Sequence, residues 1–145
     1  MIKLSDFVKK IQNEINEIPI HNEAVLTVLG FEVSEKVKSM IGEKQAFWAD
    51  LKESTIERKK RMNWGKGGNP DSPLWATGEY HDSVSYQMSG RDKVQIFSTL
   101  DYVKYLEMGT AKMPPRPVFK PAAKLVLKSF LGSNRIQNFY FKGLR

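Results

Sequence analysis

One short segment constrains this chain more than any other: Tyr102-Val-Lys-Tyr-Leu-Glu-Met-Gly-Thr110, followed at once by Ala-Lys-Met-Pro-Pro-Arg-Pro-Val-Phe119. Proline fixes φ near −65° and has no N–H, so no helix interior can run through Pro114, Pro115 and Pro117. The residue before a proline is pushed towards extended backbone. Gly109 is placed to end a helix in a positive-φ conformation that a side chain with a Cβ adopts less easily. The segment therefore predicts a short helix over about 99–108, a proline-stiffened loop over 110–117 that is mobile in the lone chain and ordered against a neighbouring copy, and a new helix from about 118. Glu107 and Arg116 bracket the loop, and arginine can grip a carboxylate through two parallel hydrogen bonds. Two readings follow: a rigid connector between two helices, or a loop whose pinned backbone lowers the entropy lost at an interface.

Hydrophobic spacing supplies the rest of the fold. Leu4, Phe7, Val8, Ile11, Ile15 and Ile18 recur at helical spacing and predict an amphipathic helix, capped by Ser5 and ended by Pro19. A second helix is expected from Asn22, with Val25, Leu29, Val33, Val37, Met40 and Ile41 as its stripe and Gly42 as its stop. Gly30 lies inside it at a cost of about 1 kcal/mol against alanine. Residues 45–62 read as further helix on Phe47, Trp48, Leu51 and Ile56, ending in the basic run Arg58–Arg61. The stretch 62–76 is rich in glycine, proline and turn formers and predicts a mobile loop. Val84, Tyr86 and Met88 alternate with Ser85, Gln87 and Ser89, and Val94 and Ile96 with Lys93, Gln95 and Phe97, around the turn Gly90-Arg-Asp92, a hairpin over about 83–98 with one apolar face. Phe119, Ala122, Ala123, Val126, Leu127 and Phe130 mark a last helix over about 118–131, closed by Gly132. Residues 133–145, with Ile136, Phe139, Tyr140 and Phe141 among basic residues, predict a strand or an arm. Helices precede a lone hairpin with no βαβ alternation, so the expected class is α+β: N-terminal amphipathic helices packed on a small antiparallel sheet. A chain of 145 residues is expected to form a single domain, 1–145.

Charge is unevenly placed along the chain. Net charge is +7. Residues 1–57 carry seven Lys/Arg against ten Asp/Glu, and residues 58–145 carry sixteen against six. That asymmetry suits either contact with a polyanion or head-to-tail packing of copies. There is no cysteine, so disulfides, thiolate nucleophiles and cysteine-based zinc sites are excluded. No run approaches a membrane span, and the first residues carry no long apolar stretch, so use without secretion or membrane is expected.

The candidates for chemistry are few. His81-Asp82-Ser83 holds the residue types of a hydrolase triad, but adjacent residues of an expected strand point to opposite faces. Two histidines leave carboxylates as the main metal ligands, and the pairs Glu14/Glu17 and Glu32/Glu35 have the spacing of a solvated helix face. Gly65-Lys-Gly-Gly68 lacks the spacing and the preceding strand of a phosphate loop. No catalytic, cofactor-binding or metal residue is therefore assigned, and the expectation is a non-enzyme. Arg58, Lys59, Lys60, Arg61 and Lys66, beside Trp64, have the types needed to neutralise phosphates and stack on bases, as do Arg135, Lys142 and Arg145 among the aromatics of the tail. They make a sequence-independent nucleic-acid binder the alternative reading, without any helix-turn-helix, zinc-finger or RNA-binding signature.

Three further patterns carry a resemblance. Thr77-Gly78-x-Tyr80-x-x-Ser83, Tyr102-x-x-Tyr105-x-Glu107-x-Gly109-Thr110 and Pro115-Arg116-Pro117-x-Phe119-x-Pro121-Ala122 resemble the neck and tail-completion proteins of tailed bacteriophages. Trp48-x-x-Leu51-x-x-x-Thr55-x-x-x-Lys59 is similar to the Mu-like branch, the phage virion morphogenesis proteins. Tyr80 stands where that pattern has leucine, and Val118-Phe119 where Phe-Leu is common. The resemblance spans about residues 48–122. It implies a structural virion protein of a phage or prophage that assembles into a ring, usually of six copies, completing the tail and joining it to the head. Its implied partners are its own copies, the tail tube, neck or head-connector proteins and DNA crossing the channel. Its implied place is the virion, after assembly in the host cytoplasm. Carried over, Glu107, Gly109 and Thr110 form the turn, Pro115, Arg116 and Pro117 the pinned loop, and Thr77 and Gly78 the start of the hairpin, with Trp48 at the subunit interface.

Overall fold

The computed structural model describes residues 4–140. The side chains of Leu4, Phe7, Ile11 and Glu14, and residues 141–145 with Phe141, Lys142 and Arg145, lie outside the described residues. The elements run α1 (Leu4–Met40), α2 (Glu53–Met62), α3 (Glu79–Ser83), β1 (Val84–Met88), β2 (Val94–Ser98), α4 (Val103–Met108), α5 (Phe119–Leu131) and α6 (Arg135–Tyr140). The class is α+β, with one two-stranded antiparallel sheet.

The two helices expected on either side of Pro19 are one helix of 37 residues. Proline removes a single i→i−4 hydrogen bond and crowds one carbonyl. Ile15, Ile18 and Ile20 are all exposed, so the freed carbonyl sits on a solvated stretch, and good helical sequence on both sides outweighs the break. The second half of α1 is the spine of the domain. Val33, Val37 and Met40 on it, and Ile41 just past its end, are buried against Trp48, Tyr80, Val84, Val103, Val118 and Ala122. Each such aliphatic side chain contributes about 1.5–3 kcal/mol by burial.

β1 pairs with β2 in the register Val84↔Ser98, Tyr86↔Ile96, Met88↔Val94, so the apolar residues share the face that packs on α1. Gly30 explains itself here. A Cβ at that position would lie 2.6 Å from Val94 Cγ2 and 2.8 Å from Tyr86 Cδ2. The hairpin approaches the helix so closely that only glycine fits, and the propensity cost is accepted for that contact.

Several boundaries move. Residues 45–52, expected as helix, form turns, and α2 begins only at Glu53. The reason is that Trp48 and its neighbours bond the proline loop, as described below, instead of continuing a helical ladder. Thr77 and Gly78 lead into the short helix α3, not directly into the hairpin. Residues 135–140 are helical where a strand or arm was expected. Arg135 bonds Glu32 (2.7 Å), and the Tyr140 hydroxyl bonds the Asn22 side chain, which seats α6 on α1. Met62 still belongs to α2, and residues 63–76 form a loop laced by Gly65 N–H to Ala76 O (3.1 Å), Lys66 N–H to Ser72 Oγ (2.9 Å) and the Lys59 ammonium to Ser72 O.

Candidate functional site

The proline loop is tied down along its whole return path. The backbone N–H of Gly109 closes α4 on Tyr105 O (2.8 Å), and Gly109 has φ 74° with extended ψ, not the fully left-handed turn expected. A Cβ there would lie 2.7 Å from Pro115 N and 2.9 Å from Met113 O, so the turn demands glycine. Thr110 and Met113 exchange backbone hydrogen bonds (2.8 and 3.2 Å), making a tight tip on which Thr110, Ala111 and Lys112 are exposed. Beyond the tip, Arg116 N–H donates to Leu106 O at 2.8 Å.

Arg116 and Glu107 do not grip one another. The Arg116 guanidinium is buried, and its Nη2 donates to Ala49 O (2.9 Å) and Asp50 O (3.3 Å). Trp48 Nε1 donates to Pro117 O (3.1 Å). The 48–50 turn therefore clamps the Arg116–Pro117 step by three hydrogen bonds. Glu107 Oε1 accepts the N–H groups of Val118 (2.7 Å) and Phe119 (3.3 Å), satisfying two of the orphan donors at the start of α5. Burial pushes the Glu107 carboxyl above the ordinary range, and the two N–H donors pull it part of the way back. Within the chain the two residues that bracket the loop thus serve separate contacts, and each holds one side of it.

Next to this loop lies a cavity of about 360 Å³ that brings the sequence motifs together. Thr55 and Lys59 come to it from α2, Thr77 and Tyr80 from around α3, Tyr102 from before α4, and Arg116 from the loop. Trp64 and Trp75 add aromatic walls that the motifs did not mark. Trp64 stood out in the sequence only as a stacking aromatic beside the basic run, and Trp75 only by flanking the glycine-rich loop. Tyr80, in the leucine position of the resemblance, is buried, and its hydroxyl has no hydrogen-bond partner among the described atoms. Burial and the neighbouring Glu107 carboxylate both push its phenol pKa up. Arg116 Nε is likewise buried without a partner.

The residues expected to meet a polyanion are scattered in role. Lys59 is buried, bonded to Ser72 O, and its pKa is pushed down by that burial. Lys60 pairs with Glu57 (2.9 Å), and Lys66 with Glu43 (2.6 Å). Arg58 lies over the Trp64 ring (5.8 Å). Arg61 is exposed. The run is not one free basic face, because helical geometry turns Lys59 inward while its neighbours point out.

His81, Asp82 and Ser83 lie at the α3–β1 junction, not in a strand. His81 Nδ1 is 2.8 Å from Asp82 Oδ1, while the Ser83 hydroxyl is held by Tyr80 O (2.7 Å) and Ser98 Oγ (2.6 Å). The three do not form a relay. Among the described residues no group of three His, Asp or Glu is placed to hold a metal, and no helix is long and apolar enough to cross a membrane.

Comparison with protein-family models, with curated proteins and with solved structures returned no match.

Proposed function

We propose that this chain is a structural subunit of a tailed phage or prophage that assembles with its own copies into a ring at the tail end or neck. The observation that carries the reading is the doubly anchored loop. Glu107 and the 48–50 turn fix both sides of Pro115–Pro117, and the tip at 110–113 is left exposed on a rigid base. A loop held this way loses little entropy when a neighbour covers it. The motifs that resemble tail-completion proteins supply these anchors, Trp48, Glu107, Gly109 and Arg116, so the reading rests on sequence order and geometry together. The net charges of −3 over residues 1–57 and +10 over residues 58–145 would suit head-to-tail contact between successive copies. Contact with DNA in the channel would fall to Arg61 and its exposed neighbours.

Immunogold labelling of purified virions or induced prophage particles tests this. Label at the head-proximal end of the tail is expected. Particles that are complete and carry none of the protein would contradict the reading.

A further inference from the structure

The first turns of α1 and the cavity described above sit at opposite ends of the molecule. Every described side chain from 5 to 20 is exposed, including Val8, Ile15, Ile18 (42%) and Ile20 (63%). Burial on α1 starts at His21 and Asn22, where α6 packs. Residues 4–20 therefore project as an arm of about 25 Å with apolar side chains in solvent. Such a helix is marginal in water by itself, and Pro19 weakens it further. It needs an apolar surface.

The cavity lies beside the other end of the same helix. The Trp75 ring, one of its walls, is 3.0 Å from where a Cβ on Gly42 would stand. Ile18 is about 35 Å away along the helix axis, so the arm of one chain cannot reach its own cavity. The charges of the two are complementary. Residues 4–24 carry four acidic side chains (Asp6, Glu14, Glu17, Glu23) against two lysines. The cavity wall carries Arg58, Lys59 and Arg116 against Glu79. It also holds two buried polar atoms with no partner, Tyr80 Oη and Arg116 Nε, where a well-filled interior would have satisfied them.

We infer that the arm of one copy docks its Ile15–Ile20 stretch against the cavity of the next copy, between Trp64, Trp75 and Tyr102. The contact is heterologous: two different surfaces meet, so each copy has one arm to give and one cavity to fill. Such an interface closes into a ring or grows into a filament. The inference rests on the ring reading above and names the contact that builds it.

The chain has no native cysteine, which makes a crosslinking test direct. Ile18→Cys protein and Thr77→Cys protein are mixed under a mild oxidant, both full length; Thr77 lines the cavity and is exposed. The expected product is the mixed disulfide, well above random pairing. A random distribution, no adduct, or predominance of the Ile18→Cys homodimer would overturn the inference, the last by showing arm-to-arm pairing. A second arm separates this from the ring reading: Ile18→Asp protein is offered to tail ends. Loss of binding at least tenfold is expected. Normal rings from that variant would remove the arm-to-cavity contact and leave the ring standing, whereas failure of the wild-type chain to bind tail ends would remove both.

Discussion

Glu107 on α4 holds the first turn of α5 through Val118, whose N–H lies 2.7 Å from its carboxylate oxygen. The contact spans the proline loop, so one side chain both ends the loop and starts the next helix. It makes Glu107 a folding residue as well as a loop anchor, and the consequences can be measured.

Glu107→Ala leaves the Val118 and Phe119 N–H groups without their acceptor. Loss of a side-chain cap costs about 0.5–2 kcal/mol. A drop of that size is expected in denaturant unfolding, with an unchanged m-value. Stability equal to wild type would show that the contact is not maintained in solution.

The same carboxyl gives a pH signature. Its folded pKa is raised by burial, so the folded state binds the proton more readily than the unfolded chain. The stabilising effect of protonation is fully present below the unfolded value and is lost as pH rises through the folded one. Wild type should therefore gain stability relative to Glu107→Gln as pH falls from neutral through the carboxylate range. The gap is read from paired unfolding curves at several pH values. A gap that stays flat, or moves the other way, would contradict the burial of this group.

Much of the fold was legible in the sequence, for physical reasons that differ by element. The hairpin shows because Val84, Tyr86 and Met88 and then Val94 and Ile96 recur at every second position around Gly90, although Phe97 breaks the alternation. The stripe from Val25 to Ile41 has helical spacing and faces the core. Pro19 misled because its local rule was outweighed by helix on both sides. The 45–52 turn was hidden because Phe47, Trp48 and Leu51 have helical spacing, yet Trp48 and the carbonyls of Ala49 and Asp50 are used by Arg116 and Pro117, nearly seventy residues on. No local pattern reports a partner that distant. For the same reason the sequence could not report that, within one chain, Glu107 bonds the start of α5 while Arg116 bonds the 49–50 carbonyls.

Arg116→Ala removes two hydrogen bonds from a buried guanidinium and exposes the Ala49 and Asp50 carbonyls. Hydrogen bonds involving a charged group contribute about 1.5–3 kcal/mol. A loss in that range or somewhat above is expected, with Arg116→Lys recovering only part, since an ammonium cannot reproduce the planar fork. Full recovery by lysine would mean that charge alone matters there.

Gly109→Ala places a Cβ 2.7 Å from Pro115 N at a positive φ. Backbone strain of this kind costs about 1–3 kcal/mol. The expected result is a lower thermal midpoint together with faster proteolysis at 110–117. A midpoint at or above that of wild type would contradict the turn geometry.

Lys59 and Lys60 are neighbours with opposite fates. Lys59→Ala removes the donor to Ser72 O and is expected to destabilise by about 1–3 kcal/mol. Lys60→Ala loses only a solvent-exposed pair and should leave the thermal midpoint close to that of wild type. Equal effects in thermal unfolding would show that Lys59 is not buried as described.

Under the proposed function, copies of this chain assemble with one another, the anchored loop beside the arm-to-cavity contact forming their interface. Mass measurement of the protein in solution, over a range of concentrations and with isolated tail tubes present or absent, tests that most directly. A closed assembly of several copies, formed alone or on the tubes and weakened by Glu107→Ala beyond its effect on folding, is the predicted result. A chain that stays monomeric under every condition, tubes included, would contradict it.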